Sequence, residues 1–197
     1  MRSLVTAGLV VVPCLLAAQS RPDLFRCEGC EAIHERSFRG LSPATSIPPA
    51  GEAGERLVLR GRVLKPDGAT PAPGVVVYAY HTNTAGGYPT RGNERGWDRR
   101  HGYLRGWVMT DRTGEYRFET IRPGGYPGRP DPAHIHMVVK EPDRREYWID
   151  EVVFADDPRV DERYRASQTN RGGTGIIRLS RDPSGAWLGR RDIILEK

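Results

Sequence analysis

Leu57-Val58-Leu59-Arg60-Gly61-Arg62-Val63-Leu64 stops at Lys65-Pro66-Asp67-Gly68, and Pro73-Gly74 then opens Val75-Val76-Val77-Tyr78-Ala79-Tyr80-His81. The first run alternates in the two-residue period of a strand. Pro-Asp-Gly is a strong turn signal. The second run is rich in β-branched and aromatic residues and long enough for a buried strand. Outward from this pair the texture repeats. Trp107-Val108-Met109-Thr110, the turn Asp111-Arg112-Thr113-Gly114 and Glu115-Tyr116-Arg117-Phe118 read as a hairpin. His134 to Lys140, Trp148 to Phe154, Gly175 to Leu179 and Arg191 to Leu195 read as further strands, with Asp182-Pro183-Ser184-Gly185 as a turn between the last two. Short strands with regular turn signals predict an all-β fold, a single β-sandwich domain over residues 57–197. A short helix fits between Asp157 and Gln168, and nothing supports a helical core.

The chain has 197 residues and a formal net charge of +5, enough for one domain with a sizeable core. Gly 23 and Pro 16 fit many turns but are too few and too scattered for a collagen-like or disordered chain. The basic residues are mixed with acidic ones, which describes a solvated surface and not a nucleic-acid footprint. Met1-Arg2-Ser3 and the apolar run from Leu4 to Ala18 read as a secretory signal peptide over residues 1–20. That run is too short for a comfortable membrane span, so no membrane association is expected after cleavage. Pro13 fits poorly ahead of Cys14 as a lipoprotein acceptor. Residues 21–56 read as an extension: Arg21 to Arg39 is polar with a short helical turn, and Gly40 to Gly54 is a linker. An exported (periplasmic or extracellular) location makes Cys27-Glu28-Gly29-Cys30 a short-loop disulfide. A redox pair would want a βαβ context that is missing, and a zinc site with His34 would lack a fourth ligand.

The chemistry sits in Thr120-Ile121-Arg122-Pro123-Gly124-Gly125-Tyr126-Pro127-Gly128-Arg129, followed by Ala133-His134-Ile135-His136. A strand sends alternate side chains to one face, so His134 and His136 can share a cavity. Tyr126 on the preceding loop adds a phenol. Phenolate is a hard anionic oxygen ligand, which points to a ferric ion over zinc or copper. Three positive charges call for a second phenolate, and Tyr88 in Thr84-Ala85-Gly86-Gly87-Tyr88-Pro89 is the best candidate. A lone His-x-His is more often a surface or core pair; it is the addition of Tyr126 and Tyr88 that favours a metal. Tyr78 and Tyr80 read as packing residues, and Tyr103 and Tyr116 as hairpin residues. His81 and His101 read as structural or exposed, and Trp107, Trp148 and Trp187 as packing.

These residues resemble the intradiol ring-cleavage dioxygenases, which include catechol 1,2-dioxygenase and protocatechuate 3,4-dioxygenase. The likeness is carried by Arg105-Gly106, Thr110-Asp111, Gly114, Tyr116, Phe118, Thr120-Ile121, Pro123-Gly124, Tyr126-Pro127 and His134-Ile135-His136. Phe154, Asp156-Asp157-Pro158, Gly185-Ala186-Trp187 and Asp192-Ile193 continue it. The resemblance implies an Fe(3+) cofactor held by Tyr88, Tyr126, His134 and His136, with Tyr126 as the ligand that leaves when substrate binds. It implies a catechol-type substrate and O2, a cut between the two hydroxylated carbons, and a muconate-type diacid product. Asp131 stands where many relatives carry an arginine, which leaves Arg129 as the nearest candidate to stabilise charge on the ring. Glu151 stands where relatives often carry glutamine. Export favours phenolics bulkier than catechol, and the oligomeric state stays open, a homo-oligomer included. The strand-and-turn pattern also resembles transthyretin-like sandwich modules, which implies an alternative: an exported binding module without catalysis.

Overall fold

The computed structural model describes residues 23–197, so the signal-peptide reading lies outside the described residues. In chain order its strands are β1 (Ala44–Ser46), β2 (Arg56–Leu64), β3 (Val76–His81), β4 (Arg105–Met109), β5 (Glu115–Ile121), β6 (His134–Lys140), β7 (Tyr147–Phe154), β8 (Ile176–Ile177), β9 (Leu179–Arg181), β10 (Trp187–Arg190) and β11 (Ile193–Ile194). Helix α1 (Asp98–His101) precedes β4, and α2 (Glu162–Ser167) follows β7. One sheet has the order β1-β5-β2-β10-β9, with β11 joined to β2; the other has the order β4-β3-β6-β7-β8. The two sheets enclose the core as a β-sandwich. Leu57 and Leu59 of β2 and Phe118 of β5 meet Val77 and Ala79 of β3 and Ile135, Met137 and Val139 of β6. Each of these buried side chains other than Ala79 contributes about 1.5–3 kcal/mol. Among the described residues no helix is long and apolar enough to cross a membrane.

Strand β3 explains why its sequence is a continuous apolar run: both its faces are covered. Val77, Ala79 and His81 face the core. Val76 and Tyr78 face outward, where Cys30, Ala32 and Ile33 join them with Trp107 and Val138 in a second apolar cluster. The covering residues come from a 3-10 helix, Cys30–Glu35, inside the segment read as an extension. Trp107 Nε1 donates to Ile33 O at 2.9 Å and Trp148 Nε1 to Arg26 O at 3.1 Å, fastening that segment to the second sheet. The short helical turn foreseen before Arg39 is this one, and the Cys27–Cys30 disulfide stands at its start, with Cα atoms 5.7 Å apart. The stretch read as a linker also carries β1, which pairs in parallel with β5.

The hairpin expected from Trp107–Thr110 and Glu115–Phe118 does not form. β4 pairs with β3 and β5 with β2, in opposite sheets. The turn itself is there, with Asp111 Oδ1 accepting from the Thr113 and Glu115 amides at 2.8 and 2.9 Å. A turn signal fixes where the chain reverses, not which sheet it then joins. β5 takes seven registered positions on β2 from Arg56↔Ile121 to Arg62↔Glu115, and its own other edge is taken by β1. The expected Gly175–Leu179 strand is split between the sheets as β8 and β9, and β10 was not foreseen because Trp-Leu-Gly-Arg is short and holds a glycine.

His81 is fully buried on the core face of β3. Its Nδ1–H donates to Thr82 O at 2.7 Å, and Thr120 Oγ1 donates to its Nε2 at 2.6 Å. Burial pushes its pKa down to about 4, with the charges of His136 and His134 adding to the fall against the Thr82 hydrogen bond. His101 is also lowered to about 4, again by burial first and then by the Arg105 charge. Both rings stay neutral in the fold, and unfolding frees them to take up protons from pH 6.5 downward. Stability is therefore highest above pH 6.5 and falls as pH drops towards about 4, by on the order of 3 kcal/mol for His81. Urea unfolding across this window measures the slope, and His81→Asn is expected to flatten it.

Candidate functional site

The outer face of the second sheet carries the candidate side chains. His134 and His136 alternate with the core residues Ile135 and Met137, so both rings point outward from β6. Tyr88 and Tyr126 arrive on two loops that lie back to back. Gly124 N donates to Asn83 O at 2.9 Å, and Thr82 Oγ1 donates to Gly124 O at 2.7 Å. The contact is so close that a Cβ on Gly124 would stand 2.3 Å from Thr84 O, and one on Gly86 would stand 2.0 Å from Gly125 O. Gly86 also has a φ of 80°. Only glycine lets these two loops touch.

The result is a convergence of four donor atoms. Tyr88 Oη lies 2.6 Å from Tyr126 Oη and 2.9 Å from His136 Nε2. Tyr126 Oη lies 3.1 Å from His136 Nε2 and 3.2 Å from His134 Nε2. The two Nε2 atoms are 3.1 Å apart. Ligands at right angles about 2 Å from one cation would be separated by about 2.8 Å, so these spacings are those of neighbours in a coordination shell. The proton count points the same way. His134 Nδ1 donates to Pro132 O at 2.7 Å, which leaves a lone pair on Nε2. The Glu151 carboxylate 3.6 Å from His136 Nδ1 favours the same tautomer there. Two phenol protons cannot bridge five close contacts. Lone pairs are left facing one another, an arrangement a cation relieves.

The electrostatics fit that donor set. Burial raises the Tyr88 phenol far above its usual range, and the hydrogen bond with Tyr126 raises it further. Burial also raises Tyr126, against the lowering pull of the Tyr88 hydrogen bond and the Arg129 charge. Burial lowers His134, with the His136 charge adding to it. Burial alone would raise Glu151, but the His136 ring overrides it and holds the carboxyl at about 2. Without a metal the phenols stay neutral; a cation among them would draw their protons off. Among the described residues no three His, Cys, Asp or Glu side chains gather to hold a metal ion, so any metal centre here needs its phenols.

All four predicted ligands are thus brought together. Arg129 is not drawn into the cluster: it is exposed, pairs with Asp131 at 2.9 Å, and lies 5.6 Å over the Tyr126 ring. Tyr80, expected to pack, is also a wall of the site. It sits directly opposite His136 on the neighbouring strand, and the rings stack at 4.6 Å. Its other face stacks on His101 at 3.7 Å, and His101 is held by Tyr78 Oη at 2.8 Å. A cavity of about 250 Å³ opens on Tyr88, Tyr126 and His136, walled by Tyr80, Trp97 and Arg100 and reached by Glu28 of the disulfide loop. Sequence reasoning missed Tyr80, Trp97 and Glu28 because strand register and a distant covering segment place them there; no local motif marks them.

The family model described as Dioxygenase matches residues 42–173, a span that contains all four converging side chains. The chain is 39% identical over 90 residues to the protocatechuate 3,4-dioxygenase beta chain of Burkholderia cepacia, covering 43% of this chain and 38% of that one. It is 34% identical over 151 residues to catechol 1,2-dioxygenase 1 of Acinetobacter lwoffii, covering 61% and 46%. The chain thus spans less than half the length of these curated relatives. Among solved structures, the dioxygenase domain of a dioxygenase carbohydrate-binding protein fusion from Streptomyces sp. SirexAA-E shares the fold, with a TM-score of 0.59 and 24% identity, covering 81% of this chain and 92% of that one.

Substitution Gly124→Ala is expected to force the two tyrosine loops apart, costing about 1–3 kcal/mol of stability. In a metal-free ultraviolet titration the wild-type Tyr88 and Tyr126 are expected to ionise above pH 10, and the variant is expected to move both back towards it.

Proposed function

The chain belongs to the intradiol dioxygenase family, and from that premise we propose that it is a non-haem iron(III) dioxygenase cleaving catechol-type rings with O2 between the two hydroxylated carbons. The observation that carries this reading is the convergence of Tyr88, Tyr126, His134 and His136 at mutual distances of 2.6 to 3.2 Å. Those four side chains would hold the ferric ion: two phenolates offset its charge and two imidazoles complete the set. When bound, such an ion supplies Lewis acidity and a template for the two catechol oxygens.

The chain's own groups have separate tasks. Tyr126 is the less buried of the two phenols and is the group that would take up a substrate proton at its Oη. Tyr88 lies deeper and keeps its place. Pro132 O and Glu151 fix the two imidazole tautomers so that both Nε2 lone pairs face inward. The stacked Tyr80 ring holds the His136 ring plane. Arg129, a cation over the Tyr126 ring, favours the phenolate form. The reaction adds both atoms of O2 to a catechol and gives a muconate-type diacid.

The flat aromatic wall of Tyr80 and Trp97, with Arg100 beside it, suits phenolics larger than catechol itself. Export is part of the same proposal. The Cys27–Cys30 disulfide supports it, because such bonds persist in oxidising compartments.

Purified protein is expected to contain iron and to be burgundy to red from tyrosinate-to-iron charge transfer. Tyr126→Phe is expected to shift that band and to lower oxygen uptake with a catechol panel by about a hundredfold or more. A colourless, iron-free protein would return the chain to the binding-module reading, and an unchanged band in Tyr126→Phe would move the ligand elsewhere.

A further inference from the structure

The outer face of the first sheet, on the far side of the sandwich from the tyrosine–histidine centre, carries a row of like charges. In the registers of β2 with β5 and with β10, Arg60 is directly opposite Arg117 on one side and Arg190 on the other. All three are exposed. Like charges directly opposite one another destabilise a sheet. Neighbouring strands are about 4.8 Å apart, so the three side chains leave the sheet at steps of about that length.

A cavity of about 370 Å³ lies over this row, lined by Arg60, Arg62, Arg117, Arg190, Asp111 and Glu115 among others. The carboxylates nearby are already engaged. Glu115 pairs with Arg62 at 3.1 Å, Glu119 with Arg117 at 2.8 Å and Asp192 with Arg190 at 2.9 Å. Asp111 is consumed by its own turn, accepting from Thr113 and the Glu115 amide. Among the described residues the Arg60 guanidinium, at the centre of the row, has no hydrogen-bond or ion-pair partner.

We propose that this cavity is an anion-binding site, separate from the metal centre, for a ligand bearing two or more carboxylate, sulfate or phosphate groups about 5 Å apart. That spacing follows from the strand separation. The guanidinium fork binds such oxyanions through two parallel N–H···O bonds, and a cavity of this size falls within the range of small-molecule sites. Arg60 is the anchor, and Arg117 and Arg190 on either side engage the second group. Nothing in this site depends on iron or on catechol cleavage.

Calorimetric titration of the full chain at constant ionic strength tests it. The probes are tripolyphosphate, whose terminal phosphates can lie about 5 Å apart, against orthophosphate, and digalacturonate against galacturonate, with chloride as the control. At least one two-group probe is expected to bind with a Kd tenfold or more below its one-group counterpart, and the winning pair separates a phosphate source from a carboxylate one. Arg60→Gln is expected to raise that Kd at least tenfold, and Arg60→Lys, which keeps the charge and loses the fork, to fall between. Both variants are expected to keep the visible spectrum of the wild type; Arg60→Lys is expected to keep its thermal midpoint, and Arg60→Gln, which relieves the like-charge row, to keep or raise it. The proposal is overturned if two-group and one-group probes bind alike, if binding follows ionic strength alone, or if Arg60→Gln binds as the wild type does.

Discussion

The antiparallel register of β3 with β6 is the constraint on which the site depends. It sets Tyr80 opposite His136, and it brings the end of β3, where the Tyr88 loop leaves, beside the start of β6, where the Tyr126 loop arrives. A slip of one residue would turn His134 and His136 into the core and send Ile135 and Met137 out. The apolar core therefore fixes indirectly the geometry of the side chains proposed to hold a metal. Met137, Val139 and Ile135 can be buried in only one phase, and that phase presents both imidazoles to the same side.

Much of this was legible in the residues themselves. The strands with strong alternation or β-branched runs, β2, β3, β6 and β7, lie where the pattern placed them, because their local signal and their tertiary burial agree. The four donors were legible because their types and spacings are chemically unusual together. What could not be read was partnership between distant elements. Glu115–Phe118 looked like the return arm of a hairpin and instead joins β2, since a turn carries no label for its destination sheet. Tyr80 looked like a packing residue, and only its register opposite His136 reveals its second role. Arg129 answered a motif position by proximity in sequence, but its nearest carboxylate, Asp131, claims it.

The donor cluster also shows how a fold can store an electrostatic conflict and leave its resolution to a ligand. Tautomer-fixing contacts from Pro132 O and Glu151 aim two lone pairs at each other, while burial discourages the phenols from ionising. No rearrangement of protons among four such atoms satisfies them all. The same logic applies in milder form on the opposite face, where Arg60, between two other arginines, has no counter-charge among the described residues.

The 3-10 helix behind the disulfide has a consequence for how the unit should be delimited. The family-model match begins at residue 42, yet the cover over Val76, Tyr78, Trp107 and Val138 is supplied by residues 30–33. A domain cut at the similarity boundary would lay bare a hydrophobic sheet surface beside the cavity mouth, a template for self-association. The minimal autonomous piece of this molecule is therefore longer at its leading end than kinship alone would suggest.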